Sequence, residues 1–308
     1  MATAGGTGEI GGALAIKQKS SSACTVRLDR LRFTAERRAG SKTAAMNGFS
    51  VLEDFRPKPQ GRIPTYSRVK KLRSETTSCT VAVQYKPRQP WLRPCAVTAI
   101  GDDKVGITPE ETEKIVAQFC NCRPSLVELA LDFDRDSGVD EPYVRKFARF
   151  GKSRRRSDRG GPEQQRFGSR GSTKMVRCYP KRQLDAYRVE LELHSGLLRK
   201  LGINKCADLY KVASKVCPSH VDFVGFRWGR LARSLNRRFG VKGPDILREA
   251  RRRRDEVSLR DALRFLTQQG FPNPHRFLFR LEINNEIRAA LRRWAELFYT
   301  LVGELPTK

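Results

Sequence analysis

Strict alternation of apolar and polar residues marks Leu126–Phe133 (LVELALDF) as a strand. Val127, Leu129, Leu131 and Phe133 point one way, and Glu128, Ala130 and Asp132 the other. The same period recurs in Tyr187–His194, where Tyr187, Val189, Leu191 and Leu193 oppose Arg188, Glu190, Glu192 and His194. A shorter run before it sets Arg177, Tyr179 and Lys181 on one side. Thr80–Tyr85 (TVAVQY) predicts a further strand.

Helical periods fall elsewhere. Thr108–Cys120 carries its own start signals: Thr108 as cap, Pro109 in the first turn, glutamates 110, 111 and 113 near the positive end, and Ile115, Val116 and Phe119 as the inward stripe. A short basic helix is expected around Pro142–Phe150. From Ser195 onward the pattern is mostly helical, over 196–201, 205–216, 227–238, 244–254, 259–269 and 283–302. Ser258 and Asp261 open one of these helices, and Ile287, Leu291, Trp294 and Leu297 give the last one an apolar stripe. Strands followed by helices imply an α+β fold with a basic helical C-terminal region.

Residues 1–75 show few sustained apolar periods and are rich in Gly, Ser, Thr, Ala, Arg and Lys. They are expected to form a poorly ordered basic arm, with Arg56–Pro64 as an extended linker. The organisation that follows is a 1–75 arm, a 76–235 region that holds the clearest strands and a 236–308 basic helical region.

Charge changes what the strands could be for. The chain of 308 residues holds 61 Lys and Arg against 33 Asp and Glu, a net charge of +28. Such an excess points to a polyanionic partner, nucleic acid before a membrane surface. No apolar run reaches the ~18 residues of a spanning helix. The eight cysteines show no disulfide spacing and no export signal precedes them, so they are expected as thiols in a cytoplasm. Arg154, Arg155 and Arg156, Arg170, and the run Arg251, Arg252, Arg253, Arg254 are the candidate DNA contacts. The chain has no Gly-x-x-x-x-Gly-Lys-Ser/Thr phosphate loop, so no motif supports an ATPase.

In so basic a chain, carboxylates gathered on two strand faces suggest a bound cation. Glu128, Asp132, Glu190 and Glu192 are the candidate ligands, and oxygen donors suit Mg²⁺ or Mn²⁺. Cross-strand pairing with Arg188 would account for the same acids without a metal. Tyr179 between Arg177 and Lys181 has the surroundings of a nucleophile, since neighbouring cations favour a phenolate. Pro180 cannot donate to a ladder, so strand pairing should weaken there and leave Tyr179 near the rim of the sheet.

The run FGSRGSTKMVRCYPK followed by YRVELEL resembles the replication initiation factors of rolling-circle plasmids and filamentous phages, and LVELALDF resembles their acidic strand. The resemblance covers roughly residues 79–215, with the motifs in order. It implies a central antiparallel sheet with flanking helices and a nicking and joining enzyme, with residues 76–235 as the catalytic nicking domain and 236–308 as the DNA-binding region, Tyr179 as nucleophile, Lys181 as its companion lysine, Glu128, Asp132 and Glu190 on the acidic strands, and a divalent metal as cofactor. Its partner would be a single-stranded origin segment with flanking duplex DNA. Two other classes remain open on the residues alone: a DNA-binding protein without catalysis, of repressor or packaging type, and a metal-dependent nuclease that uses water. The oligomeric state, a homodimer included, is left open.

Overall fold

The computed structural model describes residues 24–38, 46–57, 64–150, 155–156, 164–168, 172–216 and 220–300. Its architecture is α+β. One ten-stranded sheet is formed by β1 (Cys24–Arg37), β2 (Phe49–Phe55), β3 (Tyr66–Ser74), β4 (Thr80–Pro87), β5 (Cys95–Ile100), β6 (Phe119–Asp134), β7 (Arg155–Arg156), β8 (Gln165–Phe167), β9 (Lys174–Lys181) and β10 (Ala186–His194). The spatial order is β2-β3-β4-β5-β1-β6-β10-β9-β8-β7, and every neighbouring pair is antiparallel.

The N-terminal region departs most from the sequence expectation. Three strands lie within residues 24–74, and β1 sits in the middle of the sheet between β5 and β6. Residues 24–37 are therefore structural rather than a loose arm. Their alternation is hidden because arginines interleave the apolar residues and because the phase slips once. Cys24 and Leu28 are buried, then Leu31, Phe33 and Ala35, with a register shift between Leu28 and Arg30. That bulge, at Asp29, moves the inward phase by one residue. Residues 1–23 and most of the 56–64 linker lie outside the described residues.

The helix α1 (Pro109–Ala117) forms where its cap signals stand. Thr108 accepts from the Glu111 amide, and Glu111 returns the bond to the Thr108 amide. The apolar face of β6, β9 and β10 (Val127, Leu129, Leu131, Phe133, Val176, Val189, Leu191) joins the main core with residues from α2 (Glu141–Phe147), α3 (Ser195–Lys200) and α4 (Lys211–Val216). Helices α5 (Trp228–Phe239), α6 (Gly243–Glu256) and α7 (Leu259–Gln268), with the two-stranded ribbon β11 (Val224–Phe226) and β12 (Leu278–Arg280), enclose a second core around Leu231, Leu235, Leu266 and Phe271. The last helix, α8 (Ile283–Phe298), returns to the main core through Ile287, Leu291, Trp294 and Phe298. A boundary at 235/236 would cut α5 in two, so the helical lobe begins near Val224 and ends before α8. Leu297, expected in the inward stripe, is 61% exposed, and Phe298 takes its place. No helix among the described residues is long and apolar enough to cross a membrane.

Candidate active site

Register gathers the candidate residues. Arg188 of β10 lies opposite Asp132 on one side and Tyr179 on the other. Glu190 lies opposite Ala130 and Arg177, and Glu192 opposite Glu128 and Met175. From β1, Arg27 faces Ala130 and Arg30 faces Glu128. Directly opposed residues in a sheet project from the same face, so these side chains converge on the side away from the main core. The loop after β5 bends back to bridge Ile107 to Leu28. Gly106 permits this: its φ is +75°, and a Cβ there would stand 2.8 Å from the Leu28 carbonyl oxygen.

The polar face is buried rather than wetted. Glu128 is 0%, Glu190 3% and Asp132 5% exposed. Arginines make this tolerable. Arg188 holds Asp132 through Nε at 2.6 Å and Nη2 at 3.0 Å, and Arg27 reaches the same carboxylate at 2.6 Å. Arg177 bridges Glu128 and Glu190, the latter at 2.8 Å, and Arg30 lies 3.4 Å from Glu128. His194 meets Glu192 at 2.8 Å. A buried carboxylate survives as a charge only with such partners.

Tyr179 donates its hydroxyl hydrogen bond to Glu190. The strand run ends two residues later, at Lys181, and β8 stops pairing with β9 at Cys178. Tyr179 thus sits close to the end of β9, as Pro180 implied. Its acidity, however, runs opposite to the sequence expectation. Burial, then the Glu190 charge and the hydrogen bond to it, push the phenol above its ordinary range, and Arg188 only partly opposes this. Arg177 spends its charge mainly on two carboxylates, and Lys181 is turned to Asp103 at 2.6 Å, so burial and Glu190 outweigh the cations at the phenol.

Asp29, Glu128 and Glu190 each offer an oxygen within 4.8 Å of the others, a set that could hold a metal ion. Burial raises all three carboxyl pKa values. Glu190 adds to the rise at Asp29, while Arg177 opposes it at Glu128 and at Glu190. One buried oxygen each of Glu128 and Glu190 lacks a hydrogen bond. Hard oxygen donors in excess of their hydrogen bonds suit a divalent cation. Asp132 and Glu192 fit less well, since Arg188, Arg27 and His194 occupy them. Asp29 was missed from sequence because it lies in the region read as an arm. The phase slip between Leu28 and Leu31 was the signal that could have found it.

The arginines expected on DNA are distributed differently. Arg154 and Arg170 lie outside the described residues, as do the side chains of Arg155 and Arg156 in β7. In α6, Arg252 pairs with Glu249 at 2.8 Å and Glu256 at 2.5 Å, and Arg253 with Glu249 at 2.6 Å. Arg254 pairs with Asp255 at 2.6 Å, and Arg251 and Arg254 both stand over the Trp228 ring. Much of this run is thus engaged within the lobe. Comparison with known family models and with curated proteins finds no match to this chain.

Proposed function

We propose that the protein nicks and rejoins single-stranded DNA through a tyrosine–5′-phosphate intermediate, as an initiator of rolling-circle replication. What carries the reading is the hydrogen bond from Tyr179 to Glu190 inside a cluster that also holds Arg177, Asp29 and Glu128. The order of motifs, similar to that of replication initiation factors, supports it.

In this reading the Tyr179 oxygen attacks the scissile phosphorus. Its proton passes to the Glu190 oxygen that already accepts it, and the bond from phosphorus to the 3′-oxygen breaks. Water protonates the departing oxygen, leaving a 3′-hydroxyl to prime synthesis and a 5′-phosphate on Tyr179. Rejoining is the reverse. Arg177 offsets charge on the phosphate, and Lys181 screens the outer edge of the site. A divalent cation, Mg²⁺ or Mn²⁺, held by Asp29, Glu128 and Glu190 would supply Lewis-acid polarisation of the phosphate. The second oxygen of Glu190 lies 2.8 Å from Arg177, so a cation there would share it with that guanidinium. A cytoplasmic setting belongs to the proposal, and the cysteines among the described residues are all free thiols.

The direct test is denaturing electrophoresis after incubation with circular single-stranded DNA and Mn²⁺. The wild type is expected to form a covalent adduct that is lost with chelator and absent in Tyr179→Phe. An adduct in Tyr179→Phe would remove the tyrosine from its role. Strand cleavage without any adduct would favour hydrolysis by water. A DNA-binding protein without catalysis is the second reading. The observation favouring it is that arginines already neutralise most of the acid face. It requires binding that weakens steeply with salt and no cleavage with any metal.

A further inference from the structure

A groove runs between the sheet and the helical lobe, on the side of the sheet away from Tyr179. It consists of two adjoining cavities of about 520 and 510 Å³ that share Ala148, Phe167, Arg260 and Arg264 in their walls. On one wall stand Arg145 and Arg149, at and just beyond α2. On the other stand Arg260 and Arg264 of α7. Each pair is four residues apart, which in α7 sets both guanidiniums on one helical face. Among the described residues, Asp261 is the one acidic side chain lining the groove, and it accepts a hydrogen bond from the Ser258 hydroxyl. The Nε atom of Arg145 is buried without a hydrogen-bond partner. Between the two cationic walls the floor is apolar, made by Ala148, Phe167 and Leu263.

We propose that this groove binds a single strand of nucleic acid, with phosphates on the two arginine pairs and unstacked bases against Phe167 and Leu263. Alternating cations and apolar floor match an exposed strand, which presents both phosphates and base faces. A duplex hides its bases and would leave the floor unused. An anionic membrane would need a convex apolar surface rather than a concave one. Phe167 lies opposite Val176 in β9, and Val176 points to the core while Tyr179 points to the acid face. The groove is therefore separate from the tyrosine site, and the proposal does not depend on strand cleavage.

The experiment measures binding of a fluorescein-labelled oligothymidylate of twelve nucleotides to the full chain by anisotropy over a salt series. Arg260→Gln/Arg264→Gln is expected to weaken binding about tenfold and to flatten the logarithmic salt slope by about 1.4, two single-strand phosphate contacts. The charge-matched control Arg233→Gln/Arg237→Gln, on α5 outside the groove, should change affinity less than about threefold. Equal losses in both variants would overturn the proposal. So would thymidine monophosphate, a duplex of equal length or an acidic phosphopeptide displacing the probe as well as unlabelled oligothymidylate does. Should the groove variant fold poorly, ultraviolet crosslinking of oligothymidylate to the wild type decides. Crosslinks are expected on peptides spanning 164–168 or 257–268, and crosslinks confined to other peptides would overturn the assignment.

Discussion

The acid face of the sheet and the exposed side of α6 use the same two groups, guanidinium and carboxylate, with opposite consequences. On the sheet, pairs form across strands between residues far apart in sequence, such as Arg188 with Asp132, at 1% and 4% side-chain exposure. On α6 they form at three or four residues along one helix, such as Arg252 with Glu249, at 54% and 29% exposure. Water screens the helical pairs, and their partners can exchange. The sheet pairs have no such alternative, because each charge was stripped of water to be there. The lesson is that charge on this chain has two roles: a fixed buried network that shapes a site, and a solvated surface that can trade its partners.

The largest expected effect breaks the buried member. Arg188→Ala leaves Asp132 with Arg27 alone and deprives Asp29 of a neighbour at 3.4 Å. Removing one partner of a buried pair costs about 3–5 kcal/mol. Urea unfolding should register a loss of that size with an unchanged slope. A loss well below it would mean that water already reaches the network.

A second test asks what happens to a half-buried lysine that donates to a carbonyl. Lys174, at the start of β9, points to the core side and donates to the Phe150 carbonyl oxygen at 2.5 Å. Burial lowers its pKa to about 8. The folded state then holds fewer protons than the unfolded chain between about 8 and the ordinary lysine value near 10. The contribution of Lys174 to stability therefore rises as pH rises through that window, while the buried thiols of Cys24, Cys79 and Cys178, whose pKa values burial raises, contribute in the opposite sense. The unfolding free energy of the wild type minus that of Lys174→Met should therefore rise from pH 7.5 to 10, the thiols being common to both. A difference that stays flat over that range would mean that Lys174 titrates as it does in the unfolded chain.

Much of the acid face was legible in the sequence and part of it was not. Glu128, Glu190 and Tyr179 stand out because a strict period of two leaves no choice of face. Which of them would touch was not legible, since register depends on pairing between distant strands. Asp29 was concealed by the bulge that puts it in the site. The arginine run of α6 reads as a phosphate clamp if counted alone. Read with helical spacing, Glu249 and Glu256 already stand where they can claim Arg252 and Arg253.

The smallest expected effect closes the comparison. Arg252→Ala removes pairs to Glu249 and Glu256, yet Arg253 remains on Glu249 at 2.6 Å. Exposed pairs of this kind contribute little, because the charges regain water when separated. The unfolding midpoint should stay within measurement error at low and at high salt. A clear loss that disappears at 1 M salt would show that the α6 charges act as a network, and the two regions would then differ in degree rather than in kind.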